Sequence, residues 1–83
     1  MYDLLVRTVD GKTVIQIDAI YVENICVRKL DDDAFAVIAN KTTGIEVFKT
    51  EEAAKLALDN ICKGIAKDWG YIKLNADGSC ELG

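Results

Sequence analysis

Three cysteines, a run of three aspartates and a complete lack of histidine define what chemistry this 83-residue chain can offer. Cys26, Cys62 and Cys80 are odd in number and share no close spacing. That pattern fits free thiols in a reducing cytoplasm better than a disulfide framework. The missing histidine removes the commonest general acid/base, the commonest metal ligand and the usual partner of a cysteine thiolate. Cys26 and Cys62 fall in apolar strand and helix patterns and read as small buried hydrophobes, whereas Cys80 sits in the tail. Asp31, Asp32 and Asp33 carry oxygen ligands suited to Ca²⁺ or Mg²⁺. Consecutive residues of a tight turn point in different directions, however, and a calcium loop needs alternating ligands with a distal glutamate. The glycines are scattered among turns and form no phosphate-cradling loop. No catalytic, cofactor-binding or metal site is therefore expected, and the chain reads as a non-enzyme.

Recognition is better represented than catalysis. Arg7, Arg28 and Lys49 fall on strands, where they would form a small basic spot on the sheet face away from the helix. Such a spot suits a small anionic ligand or a partner's carboxylate; ordinary strand solubility explains the same residues. Trp69, Tyr71, Tyr2 and Tyr21 are the large amphipathic side chains. Trp69 lies one turn past Ile65 and either closes the core at the helix end or anchors an interface. Leu56 points among charged neighbours. Tyr71, Ile72 and Leu74 form a strand with no sequence-adjacent partner beyond a very short return. The candidate interface set is thus Arg7, Arg28, Leu56, Trp69, Tyr71, Ile72 and Leu74.

The elements that position these residues follow from periodicity. Asp10-Gly11 separates two β-prone runs and predicts a two-residue type I′ hairpin turn, with φ > 0 at both positions. The register follows: Thr8 faces Thr13, Val6 faces Ile15 and Leu4 faces Ile17, with the mixed pairs Arg7–Val14 and Leu5–Gln16 on the other side. A strand is expected over 20–30, a turn at Asp31-Asp32-Asp33 and a central strand over 34–40, apolar on both sides. A turn over 41–44 leads to a strand over 45–49, with Ile45 and Val47 on one face against Glu46 and Phe48. Thr50 suits an N-cap, and the first-turn Glu51 and Glu52 suit the helix dipole. The helix is expected over 51–68, stopping at Gly70. Ala54, Leu58, Ile61 and Ile65 form its apolar stripe, flanked by Ala57 and Cys62. Glu51, Lys55, Asp59 and Lys63 alternate in sign on the far face. Gly64 marks a close approach to the sheet.

The resulting expectation is one α+β domain: a β-meander over 1–49, a helix over 50–69 and a tail strand or hairpin over 70–83. About five antiparallel strands form one sheet, with the long helix on one face and a short C-terminal strand. The expected core is Leu4, Val6, Ile15, Ile17, Val37, Ile45, Val47, Leu58, Ile61 and Ile65. A chain this short supports one core and leaves little room for an enclosed cavity. The net charge of −4 argues against nucleic acid and against anionic membrane surfaces. No apolar run is long enough to span a bilayer, and Met1-Tyr2-Asp3 does not open a secretory signal. The 51% hydrophobic content is high for this length and points to a dense core or a partner surface.

Two groups of residues carry a resemblance over roughly positions 4–66. One is Val6-Arg7-Thr8-x-Asp10-Gly11-Lys12-Thr13-x-Ile15. The other is Gly44-x-x-x-Phe48-x-Thr50-x-Glu52-Ala53, followed by Leu58-Asp59-x-Ile61. Together they resemble short proteins common in low-GC Gram-positive bacteria and their phages. Those open with an Arg-[Ser/Thr]-x-Asp-Gly-Lys hairpin and end with a capped Glu-x-Ala…Leu-Asp-x-Ile helix. The shared motifs are a turn, a cap and a core stripe, so no catalytic residue carries over, and the grouping has no assigned activity. The chain departs at Met1-Tyr2-Asp3-Leu4, where a shorter Met-Trp entry is expected, and in its added tail. The resemblance implies a phage or mobile-element protein. The expected function is a non-enzymatic, homo-oligomeric interaction protein acting by protein contact, such as an inhibitor of a host system. The alternative is a nucleotide-like ligand sequesterer with a site at a subunit interface.

Overall fold

The computed structural model describes residues 3–18, 25–39 and 43–82. It is α+β, with seven strands in two sheets and one helix among the described residues. β1 (Leu4–Arg7), β2 (Val14–Ile17), β6 (Tyr71–Leu74) and β7 (Cys80–Leu82) form sheet A in the order β2-β1-β6-β7. β3 (Cys26–Asp31), β4 (Ala34–Ala39) and β5 (Thr43–Phe48) form sheet B in that order, with β4 in the centre. The helix α1 (Glu51–Ala66) packs against β1, β3, β4, β5 and β6. One core lies between the inner faces of both sheets and the helix.

The expected single sheet is corrected here. The first hairpin does not continue into the meander. Its β1 strand instead takes β6 alongside it in parallel, Val6 opposite Ile72 and Arg7 opposite Lys73. A parallel pair needs a long crossover, and everything from β2 to the end of α1 supplies it. The tail forms the expected hairpin, β6 antiparallel to β7, and β6 also joins β1. β6 has β1 on one side and β7 on the other, so it exposes no free edge. Ile72 and Leu74 are fully buried in the chain's own core and are not surface residues. With both edges of β6 paired inside the chain, none is left to add to a second copy.

The hairpin register is as the alternation predicts, Leu4 opposite Ile17 and Val6 opposite Ile15. The turn type is not. Among the described non-glycine residues only Asp68 has positive φ, so Asp10 is not left-handed. Gly11 donates its N–H to the Thr8 carbonyl at 2.9 Å and takes φ +75. The loop is an ordinary turn over 8–11 whose last residue is a left-handed glycine. The Asp10 carboxylate stabilises it by accepting from the Thr8 hydroxyl at 2.6 Å and the Lys12 N–H at 2.9 Å. These bonds hold the Asp10 carboxyl below the usual carboxylate range. A β-branched residue resists this φ, so Gly11→Val is expected to cost about 1–3 kcal/mol. An unchanged urea midpoint would contradict that strain.

Two bulges decide which meander residues face inward. The β4–β5 register shifts between Val37 and Ile38, which leaves Ile45 as the extra residue. A bulge inverts the facing of the residues beyond it. Ile45 and Phe48 are therefore buried, whereas Val47 is 51% exposed. Val47 drops out of the expected core, and Phe35, Phe48, Ile72 and Leu74 join it. Ile15 and Leu58 are only partly buried against its edge. The second bulge, between Lys29 and Asp31, closes the β3–β4 hairpin. The predicted strand over 20–30 is observed from Cys26; its first part, the 41–42 part of the following turn, and Tyr2 and Tyr21 lie outside the described residues.

Thr50 caps α1, accepting the Ala53 N–H on its hydroxyl at 3.2 Å. Glu51–Lys55 and Asp59–Lys63 pair along the exposed side at 2.6 and 3.3 Å. The buried side is Ala53, Ala54, Ala57, Ile61, Gly64 and Ile65. A Cβ on Gly64 would meet the Leu4 methyls and the Trp69 ring at 3.2 Å, which is the expected close approach. The helix stops two residues early by a different device. Asp68, with φ 53, takes the left-handed position, its N–H bonds Ile65, and the Trp69 N–H bonds Gly64. Gly70 is left-handed too, but serves β1: its carbonyl accepts the Leu5 N–H. Ile61 is fully buried and Leu56 is 42% exposed. Ile61→Ala is expected to cost about 2–5 kcal/mol and Leu56→Ala under about 1 kcal/mol. Equal losses in chemical denaturation would contradict this helix phase.

Candidate functional site

Alternation along sheet A sends Leu4, Val6, Ile72 and Leu74 to the core and their neighbours to the opposite face. That opposite face carries Leu5, Arg7, Val14, Gln16, Tyr71, Lys73 and Glu81. The parallel β1–β6 pairing brings Arg7 and Tyr71 together, although 64 residues separate them in the chain. Arg7 Nε donates to the Tyr71 hydroxyl at 2.8 Å, and Arg7 Nη1 donates to the Gly11 carbonyl at 2.7 Å. The guanidinium carbon also lies 5.9 Å from the Tyr71 ring centre. Two hydrogen bonds and a ring contact fix the fork while leaving donors unspent, since a guanidinium has five.

The surroundings suit recognition. Among the described residues, no carboxylate lies within ion-pair distance of Arg7. Lys73 stands beside it in register, weakly balanced by Glu81 at 3.9 Å. Leu5 and Val14 are 40% and 41% exposed on this face, large for residues of paired strands. Gln16 donates to Asp3 at its margin.

The other sequence candidates lie elsewhere. Arg28 is exposed on sheet B, opposite Ala36, and Lys49 follows β5, so the expected Arg7–Arg28–Lys49 spot does not assemble. Lys73 supplies the second cation beside Arg7 instead. Trp69 is half-buried against the core at the helix end, with Lys67 Nζ 5.9 Å from its ring centre. Leu56 is exposed on α1, away from this face. Sequence reasoning misses Lys73 and Val14 as site residues. Only knowledge of the parallel pairing would have found Lys73.

Cys26, expected to be buried, is exposed on β3, whereas Cys62 and Cys80 are half-buried. Burial pushes the Cys62 thiol up, and Asp59 adds to the shift. Burial also raises Cys80, partly opposed by Lys63. Both are thereby kept from the thiolate form that a nucleophile needs. Asp32 and Asp33 form the predicted turn, with Asp32 donating its N–H to Asp31 and pairing with Lys29 at 3.5 Å. Among the described residues, no group of three or more Cys, Asp or Glu is placed to hold a metal ion, and no helix is long and apolar enough to cross a membrane.

Comparison with protein-family models, with curated proteins and with solved structures gives no match to this chain.

Proposed function

We propose that this chain is a non-enzymatic binding protein that acts by protein contact through the outer face of sheet A. Its partner is an extended segment of another protein carrying a carboxylate between apolar side chains. The observation that carries this reading is the Arg7 fork, held by Tyr71 and Gly11 beside exposed Leu5 and Val14, with no carboxylate of the described residues paired to it. Arginine and tyrosine are among the residues that dominate interface hot spots. Preorganisation lowers the entropy lost when a carboxylate docks. A face of four short strands suits a peptide-sized, transient contact better than a large permanent one. With the resemblance to short phage-type proteins, the role we propose is that of a small phage or mobile-element protein engaging a host protein.

Amide shifts of the labelled full-length chain test this, with a hexapeptide alternating leucine and glutamate as the probe. Saturable shifts at Leu5, Arg7, Val14 and Tyr71 are expected, and Arg7→Met should weaken binding at least tenfold. Three outcomes would overturn the reading. The first is no shift at millimolar peptide. The second is inorganic phosphate reproducing the same shifts at equal or lower concentration, which transfers the face to a small anionic ligand. The third is a doubled mass in light scattering that Leu5→Ser abolishes, which gives the face to a second copy.

A further inference from the structure

A second surface, lined by the end of β5, the start of α1 and the β1–β2 and β6–β7 turns, has the opposite charge. Two adjoining cavities of about 430 and 490 Å³ meet at Lys49 and Ala76, where the end of β5, the start of α1 and the β6–β7 turn converge. Their walls are mostly apolar. They include Val47 and Leu56, the two large aliphatic side chains left 51% and 42% exposed by the β5 bulge and the helix phase. The lining also carries Asp10, Glu46, Glu52 and Asp77, with Lys49 the one cation among the lining residues.

We infer that this trough docks a basic segment of a partner protein, taking the aliphatic stem of a lysine or arginine between Val47 and Leu56 and its cationic head at the lining carboxylates. Charge complementarity selects the occupant. An apolar lining alone would accept any hydrophobe, but carboxylates within it reward a side chain that is apolar along its stem and positive at its tip. The lining stays charged because Asp10 and Asp77 are each held by hydrogen bonds within their own turns. The Asp77 carboxylate accepts from the Ser79 N–H at 2.9 Å and the Ser79 hydroxyl at 2.6 Å, which keeps its carboxyl below the usual range, as at Asp10. The same bonds fix both carboxylates in place, so docking orders few groups. Glu52 lies on the exposed side of the first helical turn and offers a site for substitution without loss of structure.

The test uses the labelled full-length chain with a hexapeptide alternating leucine and arginine, and its leucine–glutamate counterpart as control. The basic peptide is expected to shift the Val47, Lys49, Ala76 and Asp77 amides saturably. Its affinity should fall several-fold between roughly 50 and 300 mM salt as the charges are screened, and at least fivefold in Glu52→Lys. Leu56→Ala should weaken it comparably. Absence of shifts in this trough at millimolar basic peptide would overturn the inference. So would equal shifts from the acidic peptide, or an affinity indifferent to Glu52→Lys and Leu56→Ala.

Discussion

Gly78→Ala is expected to destabilise the protein by about 2–6 kcal/mol, the sum of backbone strain and a steric clash of about 1–3 kcal/mol each. Gly78 has φ +88, a conformation that L side chains resist. An added Cβ would lie 2.1 Å from the Ala53 carbonyl oxygen. That atom belongs to the first turn of α1 and cannot step aside as a flexible side chain does. The contact is held from both sides: Asn60 donates to the Gly78 carbonyl at 3.0 Å, and Gly78 donates to Asn75 at 3.0 Å. The control is the same change at Gly11, which has a similar φ of +75 but nothing within 4 Å of the added atom. There only strain remains, about 1–2 kcal/mol. Urea midpoints of both variants decide the matter. Equal losses would mean that the β6–β7 turn does not bear tightly on the helix.

The two Asp-Gly turns show how far local chemistry was legible in the sequence. Each is a turn closed by an i+3 hydrogen bond, with an aspartate gathering a hydroxyl and a backbone N–H and a glycine in the left-handed position. The dipeptide signals a turn reliably because only a few residue types tolerate that geometry. It does not decide the turn class, which depends on how the flanking strands are engaged. Val9, for instance, gives its N–H to Glu46 of sheet B at 2.8 Å instead of to the hairpin. The helix cap and its buried small residues were legible for the same local reason. What periodicity cannot show is a single inserted residue. The bulge at Ile45 exchanges the facings of Val47 and Phe48, and with them a core residue and a groove residue.

Long-range pairing was the other hidden quantity, and the proposed site depends on it. Arg7 was visible as a strand arginine and Tyr71 as a tail tyrosine, but nothing local joins them. Their contact exists because β6 fills the edge that β1 presents after pairing with β2. An apolar tail strand with one charge is compatible with pairing inside the chain or across subunits. The choice turns on whether the core has room for Ile72 and Leu74.

It does, and the consequence is that removing residues 71–83 should abolish cooperative folding instead of releasing a monomer from an assembly. Ile72 and Leu74 have no exposed surface. Burying two such side chains contributes about 3–6 kcal/mol, against a total stability of about 5–15 kcal/mol for a small domain. Deletion also strips β1 of one of its two ladders and leaves Leu4 and Val6 facing a void where β6 lay. It removes Gly78 from the first turn of α1 and Tyr71 from Arg7. The truncated chain should therefore show collapsed amide dispersion and a shallow thermal transition. The double variant Ile72→Ala/Leu74→Ala in the full-length chain should reproduce most of that loss. A truncated chain that keeps a sharp transition, with stability within about 1 kcal/mol of the full-length value (a typical single-substitution effect), would return β6 to the surface and reopen strand exchange between subunits.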